Sequence, residues 1–374
     1  MKNFIAFRKD LHRHPELSTK EFETQNRILA FLESLGVHHA KKIGHTGVMV
    51  TFSGKEKGKT ILLRCDTDAL PIQEINTFQH RSTTDGVSHK CGHDGHTTIM
   101  TVVAQYLVEN PLGKGQVALL WQPAEENGHG AKDVLSDEAF DFNPDVVFAL
   151  HNVPGFPLHQ VVVKEGAFTP AVKSIIVKLN GKTSHAAEPE LGINPALAVS
   201  DLIQFFADIS QPNPERDDFA LTTPVFISMG EKSYGVSAGH GEVHYTIRTW
   251  SNQVMNELSS ACVNKIDAIA KKYELTSKVS WTEEFSSNQN DTSATDIIRE
   301  AAKENNLPVH EKATPFKWGE DFGLFTEKFR GAMFGIGAGE NHPALHNPDY
   351  DFPDDLIDTG SKMFISILHK ALNG

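Results

Sequence analysis

The chain has 374 residues, 39% hydrophobic and 22% charged, which is long for one core and suits two globular domains. No apolar run reaches the roughly 18 residues of a membrane span, and a net charge of −13 without a basic cluster excludes a nucleic-acid binder. Three cysteines (Cys65, Cys91, Cys262) exclude a disulfide scaffold and point to a reducing compartment, while nineteen histidines are an excess that needs a cause.

The first stretch, MKNFIAFRKDLHRHPEL, reads as an amphipathic helix without the apolar core of a signal peptide, so a cytoplasmic protein is expected. On that helix His12 and His14 are read as structural or surface residues. Ser18 and Glu21 form a capping-box pattern ahead of a helix to about Leu35, with Gly36 as its stop. Strands follow at TGVMVTF from Thr46 and TILLRCD from Thr60. A helix is predicted from about His96 to Asn110, then the strand QVALLWQP from Gln116, a short helix near Ala131 and the strand DVVFALHN from Asp145. Apolar strands alternating with helices predict an α/β sheet covered on both faces.

From Ala171 the order becomes strand, helix, strand, strand, helix, strand, ending at SKVSWTEEF, which is the ferredoxin-like βαββαβ arrangement. After Asn290 the chain returns to helix, strand and helix, with GAMFGIGAG as the strand. The expected organisation is a discontinuous catalytic domain, 1–170 and 291–374, carrying an inserted domain at 171–290.

Four stretches concentrate metal-type ligands: RCDTD (64–68), HKCGHDGH (89–96), QPAEE (122–126) and ALHN (149–152). Three of them fall at the C-terminal ends of predicted strands, the edge at which open α/β sheets bind ligands. Converging Asp66 and Asp68, Glu125 and Glu126, and His151, with a Cys/His cluster in the following loop, point to a metal site. Adjacent glutamates leave a strand in different directions, so one can ligate while the other takes a proton. A histidine ligand needs a carboxylate on its other ring nitrogen to fix its tautomer, a role open to Asp66. Cys65 is read as core and Cys262 as helix packing. HExxH, CxxC, G-x-S-x-G, Walker A and deaminase signatures are absent.

Together these segments resemble the M20 metallopeptidase family, in its amidohydrolase branch of aminoacylases, hippurate hydrolases and auxin-conjugate hydrolases. The similarity is carried by DLHRHPELSTKEF (10–22), RCDTDALPI (64–72), HKCGHDGHTTIM (89–100), QPAEENGHGAK (122–132), ALHNVPGFPLH (149–159), GKTSHAAEP (181–189), GEDFG (319–323) and LHNPDYDF (345–352). The resemblance implies a zinc-peptidase-like catalytic domain with a mixed central sheet and an inserted dimerisation lid. It implies two divalent ions, zinc or manganese with cobalt and nickel open, held by Cys91, His93, Glu126, His151 and His346. Glu125 would be the general base, Asp66 would orient a ligand, and His185 from the lid would stabilise the oxyanion, in its own or a partner subunit. Arg248 is a candidate for the substrate carboxylate, with a structural ion pair as the alternative.

The implied activity is hydrolysis of N-acyl amino acids or similar small amides by a homodimer. A dipeptidase or aminopeptidase of the same clan and a catalytically inactive metal-stabilised binding protein are the competing readings. Departures fall in the lid, where Glu190, Asn194 and YGVSAG (234–239) replace the family's usual residues.

Overall fold

In the computed structural model, which describes residues 1–373, helix α1 (Lys2–Arg13) turns Phe4, Phe7 and Leu11 inward. Phe7 stacks on Phe31 of α2 (Phe22–Ser34), ring centroids 4.1 Å apart. The capping box predicted at Ser18 and Glu21 does not form. The Ser18 hydroxyl donates to Asp68 instead, and the Glu21 carboxylate accepts from Thr46 and the Ala124 amide. The first turn of α2 is capped by Glu16, which accepts from the Glu23 and Thr24 amides. Gly36, at φ +86°, closes the other end as expected, with the Val37 amide returning to the Leu32 carbonyl.

Strands β1 (Lys41–Ile43), β2 (Gly47–Ser53) and β3 (Glu56–Asp66) precede α3 (His93–Glu109). This helix begins three residues before the predicted start because Gly92, at φ +96°, makes the turn into it. A Cβ at Gly92 would collide with the Asn152 carboxamide and the Tyr350 hydroxyl. There follow β4 (Lys114–Gln122), α4 (Gly130–Ser136), β5 (Val146–Val153), β6 (Val161–Val163) and β7 (Gly166–Thr169).

A second unit, Thr169–Ser287 with Thr314–Gly319, contains β8 (Ala171–Asn180), β9 (Ser184–His185), α5 (Ala196–Asp208), β10 (Ala220–Met229), β11 (Val236–Ser237), β12 (His240–Thr249), α6 (Asn252–Lys272) and β13 (Thr276–Phe285). Its four long strands pair antiparallel in the order β10-β12-β8-β13. Ile175, Val177, Val243 and Ile247 of that sheet share one buried cluster with Leu202 and Phe206 of α5 and Cys262 and Ile266 of α6. The short strands β9 and β11 form a separate ribbon that pairs His185 with Val236.

The first unit resumes at Asn288 with β14 (Asn288–Asn290), α7 (Thr292–Glu304), β15 (Val309–Glu311), α8 (Gly323–Lys328), β16 (Gly331–Gly337) and α9 (Leu356–Asn373). Its sheet has eight strands in the order β1-β2-β4-β3-β5-β16-β6-β15. The central β4, β3, β5 and β16 are mutually parallel, while β2 and β6 join them antiparallel. Almost every residue in the inner halves of β3, β4 and β5 is buried, as a parallel sheet covered by helices on both faces requires. Among the described residues no helix is long and apolar enough to cross a membrane.

Candidate metal centre

Because β4, β3 and β5 are neighbours and run the same way, their C-terminal ends bring Asp66, Glu125, Glu126 and His151 to one edge of the sheet. The turn into α3 adds Cys91, His93 and His96 from the side, and the loop after β16 adds His346. All lie in the first unit. The side chains form overlapping groups: Asp66 with His93, His96 and His151; Cys91 with Glu126 and His346; and His93 with Glu125 and Glu126.

The spacing between donors is informative. His93 Nε2 stands 3.8 Å from Glu126 Oε1, His346 Nε2 3.6 Å from Glu126 Oε2, and Cys91 Sγ 3.5 Å from His151 Nε2. The two nitrogen–oxygen separations exceed hydrogen-bond length. Two ligand atoms each about 2.1 Å from one tetrahedral ion sit roughly 3.4 Å apart. His93 Nε2 and Glu126 Oε1 are both buried and without a hydrogen-bond partner, a costly condition unless something else meets them. The mixed sulfur, nitrogen and oxygen donors therefore fit divalent cations.

Carboxylates outnumber cations here, and the acid–base properties follow. Burial, reinforced by Glu126, Glu125 and Asp66, pushes the Cys91 thiol well up. Burial, then Glu320, Glu126 and Asp321, push Glu125 well above the usual carboxylate range against the pull of Arg64. For His93, burial opposes the charged ring, but Asp66, Asp68 and Glu126 outweigh it and raise it to about 10. A cation-free centre thus holds protons that bound metal would displace.

The supporting shell differs from the sequence expectation. Asp66 was expected to orient a metal ligand. The carboxylate on the outer nitrogen of His93 is instead Asp68, whose Oδ1 is 3.1 Å from Nδ1, assisted by the Asp68 carbonyl at 3.0 Å. Asp68 also accepts the Glu126 amide. Asp66 bonds His96 Nδ1 at 2.6 Å and Arg64 at 2.9 Å. The alternation Asp66-x-Asp68 was legible, but which aspartate meets which ring depends on how the strand end curls toward α3.

Arg64 is fully buried and binds Gln122, Asp66, Asp321 and Glu320 within 2.7–2.9 Å. Asp321 also accepts from Gln122 Nε2 and the Ala131 amide. The sequence offers no role for the acids of the GEDFG stretch; in the structure Glu320 and Asp321 anchor the buried Arg64 beside Glu125. Of the two histidines read as structural or surface, His12 is the structural one, buried and bonded to Asp94 at 2.8 Å and Glu74 at 3.1 Å, and His14 is half-exposed beside Asp10.

His185 and Arg248 lie in the second unit. His185 is exposed on β9, and its Nδ1 accepts the Ala187 amide at 3.0 Å. Arg248, on β12, donates to the Lys317 carbonyl at 2.9 Å, and burial, partly offset by Glu283, lowers its pKa.

Residues 62–370 match the sequence pattern of Peptidase family M20/M25/M40. The chain is 33% identical to an N-acetyl-L-cysteine deacetylase of Bacillus subtilis (strain 168) over 95% of this chain and 85% of the relative. It is 31% identical to an N-acetyldiaminopimelate deacetylase of the same organism over 96% of each. A crystal structure from Bacillus subtilis, described as a dinuclear metal binding peptidase from the M20 family, superposes with a TM-score of 0.85 at 28% identity, covering 100% of this chain and 98% of that one.

Proposed function

Since the chain belongs to Peptidase family M20/M25/M40, we propose that it removes the acyl group from N-acyl amino acids, with two divalent ions and Glu125 activating the attacking water. The observation that carries this reading is the facing pair His93 Nε2 and Glu126 Oε1, buried and unpaired between Cys91 and Glu125. Cys91, His93, Glu126, His151 and His346 would hold the ions; the mixed sulfur, nitrogen and oxygen donors suit zinc, with manganese, cobalt and nickel as the alternatives.

Bound there, the ions supply Lewis acidity toward the scissile carbonyl and lower the pKa of water. Glu125 accepts the proton released as water adds to the carbonyl carbon and passes it to the departing amine nitrogen as the C–N bond breaks; the acid's remaining proton ends on the amine, so that water and amide yield carboxylate and ammonium. Arg64 holds Glu320 and Asp321 beside Glu125. His185 has its Nδ1 engaged as an acceptor, which leaves the proton on Nε2, the form that can donate to the carbonyl oxygen as it gains charge. Arg248 is assigned to the substrate carboxylate.

The names of the two relatives favour N-acetylcysteine and N-acetyldiaminopimelate as first substrates and weigh against a dipeptidase. A cytoplasmic location suits a site that needs Cys91 reduced. The second unit, a ferredoxin-like lid, is proposed to form a homodimer. Its outermost strand β10 carries Val225, Phe226, Ile227 and Met229, all 42–64% exposed, along an unpaired edge. The test is a panel of N-acetyl amino acids and dipeptides on metal-loaded and chelated protein. Turnover that survives complete metal removal, or that is confined to dipeptides, overturns the proposal.

A further inference from the structure

The donor residue His346 lies in a strained loop. Its φ is +65°, a left-handed conformation that a residue with a side chain adopts at a cost and keeps only where its surroundings impose it. Its ring is about half-exposed, so packing of the ring does not impose it. The Ile75 amide and the Asn76 carboxamide hold the far part of this loop through the Pro348, Asp349 and Tyr350 carbonyls, but the residue that grips both His346 and Tyr350 is Lys90, the immediate neighbour of Cys91. The Lys90 carbonyl accepts the His346 amide at 2.7 Å. The Lys90 ammonium donates to the Tyr350 carbonyl, four residues further on, at 2.7 Å. It also donates to Glu74 Oε1 at 2.5 Å, and Glu74 is fixed by His12 and by the Ser82 amide.

Lys90 is completely buried. Burying an ammonium and its carboxylate partner carries a desolvation cost that an apolar side chain of similar length would avoid. The result is a two-point clamp: one residue holds both ends of the 346–350 segment, and its own carbonyl and Cα lie next to a second donor.

We propose that Lys90 is a positioning residue that registers the His346 loop on the Cys91 loop and so sets the spacing at which Cys91, Glu126 and His346 take up a divalent ion. This rests on the ligand set proposed above. Lys90 touches no substrate and acts through Tyr350 and Glu74. The same clamp gives a reason for a charged residue in the middle of the HKC stretch, which the metal chemistry itself does not use.

The test is zinc titration against a chromophoric chelator on wild type, Lys90→Met and His346→Ala, with circular dichroism as the check on folding. Lys90→Met keeps the length and loses the ammonium, and is expected to bind one zinc ion as wild type does and the other at least ten-fold more weakly. His346→Ala is expected to weaken that same ion. If His346→Ala weakens it while Lys90→Met holds both ions within two-fold of wild type, the inference is overturned, even where Lys90→Met melts at a lower temperature. Wild-type zinc binding by His346→Ala overturns the ligand set itself, a distinguishable failure. Should Lys90→Met not fold because Glu74 is left unpaired, Lys90→Met/Glu74→Gln removes both charges together. Wild-type zinc affinity in that folded double variant overturns the inference, and ten-fold loss of one ion supports it.

Discussion

Glu125 and Glu126 are consecutive, yet their surroundings assign them different work. Glu126 directs one oxygen toward His93 and the other toward His346, and its own amide is tied to Asp68. Glu125 faces Glu320, Asp321 and Arg64. Glu125→Gln should therefore retain both ions and lose about two or more orders of magnitude in kcat, the scale expected for a general base. Glu126→Gln should fail first in metal content. Metal analysis beside turnover separates the two, and equal modest losses with full metal in both would remove the division of labour. Cys91→Ser should weaken metal binding, since a hydroxyl is a poorer ligand than a thiolate; full occupancy would take Cys91 out of the ligand set.

At the scale of elements, α1 is fastened to the start of α3 by charge. His12 lies between Asp94 and Glu74; burial opposes its protonation, but the two carboxylates raise it from 6.5 to about 9. Glu74 is held down from 4.5 to about 2, burial being outweighed by His12, Lys90 and the Ser82 amide. The raised His12 contributes stability fully below about pH 6.5 and loses it as the pH climbs through about 9. The depressed Glu74 contributes fully above about pH 4.5 and loses it as the pH falls through about 2. Urea unfolding of wild type and His12→Ala should differ most near pH 5–6, with the gap closing toward pH 10. A gap that stays constant to pH 10 would mean that the ring acts by packing alone.

The same elements show what the sequence could and could not convey. Apolar runs leading into acids or, for β5, into His151 located the ends of β3, β4 and β5, because apolar patterning is written locally. The cap of α2 was misread: Ser18 and Glu21 have the right spacing, but both are drawn to distant partners, Asp68 and Thr46, leaving Glu16 to cap the helix. The start of α3 was placed late because Gly92 is informative only once Asn152 and Tyr350 are seen against it. Asp68 rather than Asp66 meets His93 for the same reason: a tertiary approach decides between two equivalent residues. The segment Thr314–Gly319, which belongs to the second unit, carries no local mark of that membership.

For the whole molecule, the exposed apolar edge of β10 makes the assembly state testable. Ile227→Lys should shift the protein toward monomer in sedimentation, and an unchanged dimer would place the interface elsewhere. If His185 serves a partner's site, His185→Ala and Glu125→Gln homodimers should both be inactive. Subunit exchange between them should then restore activity through one intact pairing. No rescue after proven exchange would assign His185 to its own chain or to no catalytic role.

The order β5-β16-β6 in the large sheet has a consequence for how the chain is made. During synthesis β5 emerges early, but its neighbour on one side, Gly331–Gly337, appears only after the entire second unit has left the ribosome. For that interval β5 presents an open edge that is apolar from Val146 to Leu150, while the second unit can already complete its four long strands from contiguous sequence. Biosynthesis should thus pass through a stage with a finished insert and an unfinished, aggregation-prone host. Chains arrested after residue 330 should be held by chaperones through the region of β5, and release should coincide with the arrival of β16.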